Sequence, residues 1–398
     1  MIETGNISAS AGTDQAMRWS GVGSSRLQNS HDAGRDAAQQ AAAQPDAKVF
    51  VAFAGHRHDH GALLEGIAAV AGDAPVIGCT TGGEIGIAGP TDDSVVVMAL
   101  GGPGIHVATR LAEVVDGDLR QAGAEVADAI LDLPDTGNRV LLLLSDGLAG
   151  DQQEVVRGAY SRAGATVPLV GGCAGDGMEM QSTELLYGRT AGSDLVIGCA
   201  IASSGPIGIG VHHGWTPVGD PVLITRSDGN VVYTIDEEPA LDRYLRLHGA
   251  PAELAEDPEA FTHWAATHPI GIHRRSREEV RFISGADPET RSITSIAGIP
   301  EGGLAWAMTG SAESVLDATD IACADAVAGF DGPAVAVLAF DCVARRGVMG
   351  EDGIVAEVAR IADRVGAPIA GFYTYGEFAR TQGSSGFHNQ TLVTLAIG

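Results

Sequence analysis

The sequence predicts a mixed α/β protein built from duplicated mixed-sheet modules, each running strand, helix, strand, glycine-rich turn, strand. Three observations carry that expectation. The first is an internal repeat: residues 74–85 read APVIGCTTGGEI and residues 367–378 read APIAGFYTYGEF, so Gly78 matches Gly371, Thr81 matches Thr374, Gly83 matches Gly376 and Glu84 matches Glu377. A weaker third copy, VPLVGGCAGDGM from Val167, keeps the proline, the apolar pair and a glycine. The second is that the surroundings repeat. Each copy follows an apolar run (VFVAFAG, VLLLLSDG, AVAVLAFD) and an amphipathic helix (GALLEGIAAVAG, DQQEVVRGAYSRAG, GIVAEVARIADRVG), and two copies precede a further strand, at Asp93 and at Gln390. The third is size: 398 residues, 45% of them hydrophobic, exceed the roughly 250–300 residues at which a single core stops growing. Two pseudo-symmetric halves are expected, residues 16–235 and 236–398, behind a disordered tail over residues 1–15.

In chain order, the small polar residues of that tail lack periodicity. From Met17, MRWSGVGSS reads as a strand, and Ser30 is positioned to cap the Ala-rich helix HDAGRDAAQQAAAQ. KVFVAFA from Lys48 is a continuous apolar run, the pattern of a strand covered on both faces. Proline opening the repeat's second strand costs no ladder bond, and Gly78 and Gly371 mark places where the chain turns sharply or approaches something closely. PVLITRSDGNVVYTID alternates like a hairpin about Ser227, Asp228, Gly229 and Asn230. Residues 239–248 follow as a helix with Leu241, Tyr244 and Leu245 on one face.

Composition removes several function classes. A net charge of −27 repels nucleic acid and anionic membrane, which leaves a small solute or another protein as partner. Lys48 is the single lysine, and it opens a strand, so neither a phosphate loop of the Lys-Ser/Thr type nor Schiff-base chemistry fits. Cys79, Cys173, Cys199, Cys323 and Cys342 are odd in number and form no C-x-x-C pair, so reduced thiols are expected. The sequence shows no secretory signal and no apolar run of spanning length, and a cytoplasmic location is expected.

The repeat and its neighbours resemble the FIST family over nearly the whole ordered chain. VIGCTTGGEI, PLVGGCAGDG and VHHGWTPVGDPVLITRSDGNVVYTIDEEPALDRYLRLHG are similar to the N-terminal FIST module and its junction; FDCVARRGVMG and APIAGFYTYGEFARTQGSSGFHNQTLVTLAIG are similar to the end of the C-terminal module. The resemblance implies a free-standing bacterial sensor that binds a small, amino-acid-like ligand and acts through a separate signalling output protein. It also implies an alternative, since some relatives bind haem and respond to nitric oxide; the twelve histidines neither support nor exclude an axial ligand.

Ligands of open α/β sheets collect beside strand carboxyl ends, where the glycine turn lies. The candidate ligand-binding set is Arg345, Tyr373, Tyr375, Glu377, His388 and Asn389: Arg345 as a fork for a carboxylate, Glu377 as a charge for an amine, the tyrosines as stacking area. Cys79, Thr80, Thr81, Glu84 and Cys342 are secondary candidates. The bland readings are turn glycines, core aromatics and an internal salt bridge of Arg345, with Glu377 as one possible partner. His56, His58 and His60 in GHRHDH lack a completing set of metal ligands and read as a loop. An enzyme using Glu377 and His388 as an acid–base pair, and a protein-interaction scaffold without a ligand, are the remaining alternatives.

Overall fold

A computed structural model describes residues 17–135, 137–274, 277–381 and 386–398; the expected tail over 1–15 lies outside them. One strand order occurs three times. The first unit contains β1 (Trp19–Ser25), α1 (Ser30–Ala41), β2 (Ala47–Ala54), α2 (His60–Ala71), β3 (Val76–Thr80), a hairpin of β4 (Glu84–Gly86) and β5 (Gly89–Thr91), and β6 (Val95–Gly101). The second repeats it with β7 (Ile105–Glu113), α3 (Leu119–Ala127), β8 (Asn138–Ser145), α4 (Gln153–Ala163), β9 (Leu169–Cys173), the hairpin β10 (Leu185–Tyr187) and β11 (Thr190–Gly192), and β12 (Leu195–Ser203).

The third unit begins with β13 (Ile207–His212), and a separate subdomain is inserted before its first helix. The insert holds β14 (Thr216–Asp228), β15 (Val231–Ile235), β16 (Glu238–Pro239), α5 (Ala240–Leu247), α6 (Pro258–Ala265), β17 (Ile270–Arg274), β18 (Arg277–Arg281), β19 (Ile283–Asp287), β20 (Ser292–Ser295) and β21 (Leu304–Thr309). Residue 236 falls between β15 and β16 of this inserted sheet. The unit resumes with α7 (Ala312–Val327), β22 (Ala336–Cys342), α8 (Val343–Val365), β23 (Ile369–Thr374), the hairpin β24 (Glu377–Arg380) and β25 (Phe387–His388), and β26 (Leu392–Ile397).

In every unit the two strands around the second helix are parallel and the last strand returns antiparallel to the first of them. The hairpins are exchanged. The first unit's β4 pairs with β23 of the third, the third unit's β24 pairs with β9 of the second, and the second unit's β10 pairs with β3 of the first. Each sheet is thus completed by its neighbour's hairpin, and the three exchanges close a ring. The mixed α/β class is as expected, but the expected two pseudo-symmetric halves are not found: the strand order is used three times, the weak copy at Val167 supplying the third, because that copy also forms a complete sheet.

The inner faces of the three sheets share one core, where Phe53, Leu142, Val170, Phe340 and Phe372 are buried together. Phe372 stacks on Phe53 at 4.7 Å between ring centroids and meets Phe340 edge-on at 5.9 Å. The outer faces carry α1–α2, α3–α4 and α7–α8 over cores of their own, which is why the central strands read as unbroken apolar runs. The insert packs its own core around Ile224, Ile235, Tyr244 and Phe261. Asn29, one residue before the expected Ser30, is the cap of α1, its side chain accepting from the Asp32 amide at 2.9 Å. Asp59 caps α2 in the same way, making His60 the first helical residue, buried, with Nδ1 2.6 Å from Glu184. All five cysteines are buried free thiols. Among the described residues no helix is long and apolar enough to cross a membrane.

Gly78, Gly171 and Gly371 hold one position in the three units, each beside the first parallel strand. A Cβ would stand 1.9 Å from the Ala52 carbonyl oxygen at Gly78 and 2.1 Å from that of Ala339 at Gly371, so the strand pair must separate to admit one. Gly78→Ala and Gly371→Ala should each destabilise the protein by at least about 2 kcal/mol in urea denaturation. Gly329→Ala, where a Cβ meets open space, is the control, and matching midpoints for all three variants would contradict the close approach.

Candidate functional site

The three glycine-bearing turns meet at the carboxyl ends of the parallel strands. The Gly82 amide donates to the Tyr373 carbonyl at 2.8 Å, the Tyr375 amide to Cys173 at 3.3 Å, and the Gly175 amide to Thr80 at 3.0 Å. Gly82, Tyr375 and Gly175 are therefore counterparts in a closed ring of backbone bonds. What differs is the side chain. Tyr375 fills the joint between the third and second units: its ring lies against Gly147 and Gly175, and its hydroxyl donates to Asp176 and accepts from the Met178 amide.

At the joint between the first and third units Gly82 stands where Tyr375 stands in the other, and a cleft of about 520 Å³ is open there. Its walls include Gly82, Gly83, Asp92, Val343, Arg346 and Gly347, with Arg57 and Met178 also contributing. Arg346 leaves α8 toward this space. Its two terminal nitrogens meet the two Asp92 oxygens at 2.5 and 2.9 Å, one of them also donates to the Gly82 carbonyl at 3.2 Å, and the guanidinium lies 5.2 Å from the Tyr373 ring centroid. The Arg346 hydrogen bond is the main cause holding the Asp92 carboxyl below its usual range. Arg346 and its partner Asp92 thus form one wall of the cleft, with the Tyr373 ring buried behind the guanidinium.

The repeat's glutamates tie the turns to the following strands. Glu84 is fully buried and accepts from Thr81, from the Ser94 amide at 2.8 Å and from the Ser94 hydroxyl at 2.7 Å. Glu377 accepts from the Thr374 hydroxyl at 2.6 Å and the Thr391 amide at 3.3 Å. Burial outweighs these bonds and pushes Glu84 up to about 7 and Glu377 up to about 8.

The expected ligand set is distributed differently from the sequence reading. Arg345 is fully buried and its guanidinium is occupied: Nε bonds Asp341 at 2.6 Å, while the terminal nitrogens bond Glu357 at 2.5 Å and the His213 carbonyl at 3.3 Å. Arg345 is thus engaged inside the protein, and the arginine that lines the cleft is Arg346. Tyr373 is buried beneath Arg346, and Tyr375 belongs to the opposite joint. Glu377 is enclosed, which removes it as a charge for a ligand amine. His388 pairs across the hairpin with Glu377, and its Nε2 lies 2.9 Å from the Ala379 carbonyl. Asn389 is buried and donates to the His388 carbonyl at 2.9 Å. Of the secondary candidates, Thr81 and Glu84 border the cleft; Thr80 accepts from the Glu184 amide, and Cys79 and Cys342 are buried with their thiols pushed well up by burial. Arg346 was visible as the second arginine of CVARRG, whereas Asp92 carried no signal.

Family comparison agrees with this architecture. The model of the FIST N domain matches residues 48–238 and that of the FIST C domain matches residues 240–380. The chain belongs to the FIST family, a class of signal-transduction sensor domains, and the family points to a sensory role over a catalytic one. Among curated relatives, an uncharacterised protein of Methanocaldococcus jannaschii is 25% identical over 193 residues, covering 46% of this chain and 36% of that protein. An uncharacterised protein of Mycobacterium tuberculosis is 26% identical over 232 residues, covering 56% of this chain and 59% of that protein. The chain thus spans from about a third to three fifths of the length of these relatives. A solved structure of PurLQS from Thermotoga maritima aligns with 96% of this chain and 73% of its own at 10% identity, with a TM-score of 0.23, too low to bear on fold or function.

The buried glutamates give a pH prediction of definite sign. A carboxyl whose folded-state value is raised binds its proton more tightly in the folded protein, so its stabilising effect is complete below the unfolded value and is lost as pH rises toward the folded one. Glu84→Gln should therefore remove a decline in stability between about pH 4.5 and about pH 7, on the order of 3 kcal/mol in total. Urea titrations of wild type and variant at several pH values measure it; parallel curves through that window would refute the buried protonated Glu84.

Proposed function

We propose that this chain is the ligand-binding component of a sensory system and that a small molecule bearing a carboxylate and an amine binds in the cleft between the first and third units. The observation that carries the reading is the exchange of Gly82 for Tyr375 at equivalent joints, which accompanies an open cleft in one case and a filled joint in the other. Its volume of about 520 Å³ lies within the range of small-molecule sites, about 300–1,000 Å³. Arg346 can exchange one carboxylate, that of Asp92, for another of the same geometry, and Asp92, Asp93 and Glu351 at the rim then supply charge for an amine. Tyr373 keeps the guanidinium plane oriented during the exchange. The net charge of −27 supports a small solute over a polyanion.

Titration calorimetry against a panel of free amino acids, their decarboxylated amines and their deaminated acids tests it. At least one amino acid should bind while its amine and acid counterparts bind more weakly. Arg346→Ala should weaken that binding by tenfold or more, about 1.4 kcal/mol. Gly347→Phe fills the cleft from an exposed helical position where an added Cβ meets nothing within 4 Å, and should abolish binding while leaving thermal stability unchanged or raised. Binding that survives both substitutions would place the ligand elsewhere.

A further inference from the structure

Beneath the cleft, between the outer face of β22 and the helices α7 and α8, lies a cluster of three charged side chains with no solvent exposure. Arg345 joins the Oδ1 of Asp341 at 2.6 Å to the Oε1 of Glu357 at 2.5 Å, and the Thr319 hydroxyl also donates to that Glu357 oxygen, at 2.7 Å. The other oxygen of each acid, Asp341 Oδ2 and Glu357 Oε2, is buried without a hydrogen-bond partner. Two ionised acids against one arginine would leave a net negative charge in a closed, dry site, at a desolvation cost of several kcal/mol. One proton on either acid removes that charge and turns an acceptor-only carboxylate into a group that can also donate.

We propose that Asp341 and Glu357 hold one proton between them, so that together with Arg345 they form an electrically neutral proton-binding site that latches α8 to β22. The proton balances the charge of the cluster, leaving one carboxylate against one guanidinium. Burial, followed by the neighbouring Glu357, drives the Asp341 carboxyl well above its usual range against the opposing pull of Arg345. The groups facing the pair from the surrounding elements do not supply a second cation at bonding distance among the described contacts. From β23 comes the Tyr373 phenol, from α7 Thr319 and Cys323, from β22 itself Cys342 with Glu377 beyond it, and from the end of β13 His213, whose ring burial lowers to about 4. Arg346, also within electrostatic reach of Tyr373, is held by Asp92 in the cleft. The latch reaches the insert as well, because Arg345 also bonds the His213 carbonyl just before β14. Loss of the proton leaves one buried negative charge unbalanced and weakens the hold of α8.

The test needs no ligand. Asp341→Asn and Glu357→Gln each keep the shape and provide an N–H where the shared proton was, so each single variant should fold. Urea denaturation from about pH 5 to about pH 8 should show wild type losing folding equilibrium constant relative to Asp341→Asn by about tenfold per pH unit. Infrared difference spectra of 13C-carboxyl-labelled protein at neutral pH should contain a protonated-carboxyl band in wild type that either single variant removes. Parallel stability curves, or a difference spectrum without that band, would overturn the proposal. If Asp341→Asn fails to fold, Glu357→Gln takes its place in both measurements, with the same two outcomes deciding.

Discussion

The ring of exchanged hairpins is the constraint on which the rest of the molecule depends. The four strands that each unit gives its own sheet leave the second parallel strand without an outer neighbour, and β4, β10 and β24 fill that edge from another unit. An exposed edge strand is a liability that a fold must cover. Here the cover is mutual, so no unit is complete without the other two, and the central core that contains Phe53, Phe340 and Phe372 forms only when the ring closes. The turns at the strand ends are held by the Gly82–Tyr373, Tyr375–Cys173 and Gly175–Thr80 backbone bonds, which accounts for repeat residues being buried at a sheet end where loops are ordinarily exposed.

That geometry also explains why one joint is open. Three equivalent turns create three equivalent joints, and side-chain size at one position distinguishes two of them. Tyr375 occupies its joint with a ring and anchors it through Asp176, whereas Gly82 leaves the wall formed by Val343 and Arg346 uncovered. Adjacent residues of α8 then serve different ends. Arg346 faces the cleft with an exposed partner, and Arg345 faces the sheet with two buried ones. The helix that carries both breaks at Gly350, where φ is 66° and ψ is 179°, so the short leading segment is joined to the main helix by a residue free to adopt that conformation.

Much of the architecture was legible in the sequence. The repeat at Gly78 and Gly371, with its weaker echo at Val167, located all three second parallel strands, because a glycine without room for a Cβ and a strand covered on both faces leave local signatures. The hairpin about Gly229 and the helix whose buried face holds Leu241, Tyr244 and Leu245 were local too. Hairpin exchange was not legible, since pairing such as Glu84 with Phe372 joins residues far apart in the chain, and nothing in a turn's own residues names the sheet it will complete. The site suffered from the same gap. Tyr373, Tyr375 and Glu377 look like ligand chemistry when read as a string, yet alternation sends the first to the helix face, the ring sends the second into another joint, and the third closes its own turn. Whether Arg345 or Arg346 faces the cleft depends on which side of a single helical turn meets β22, and two adjacent arginines carry no mark of it.

The claim that the three turns form one closed ring is tested most directly by native-state hydrogen exchange. The Gly82, Gly175 and Tyr375 amides should exchange with the same free energy and the same denaturant dependence as global unfolding, since none of the three bonds opens without the sheet edges it joins. Gly82 exchanging at the low free energy of a local loop opening, with Gly175 and Tyr375 still protected, would show that the units close independently and would contradict the account.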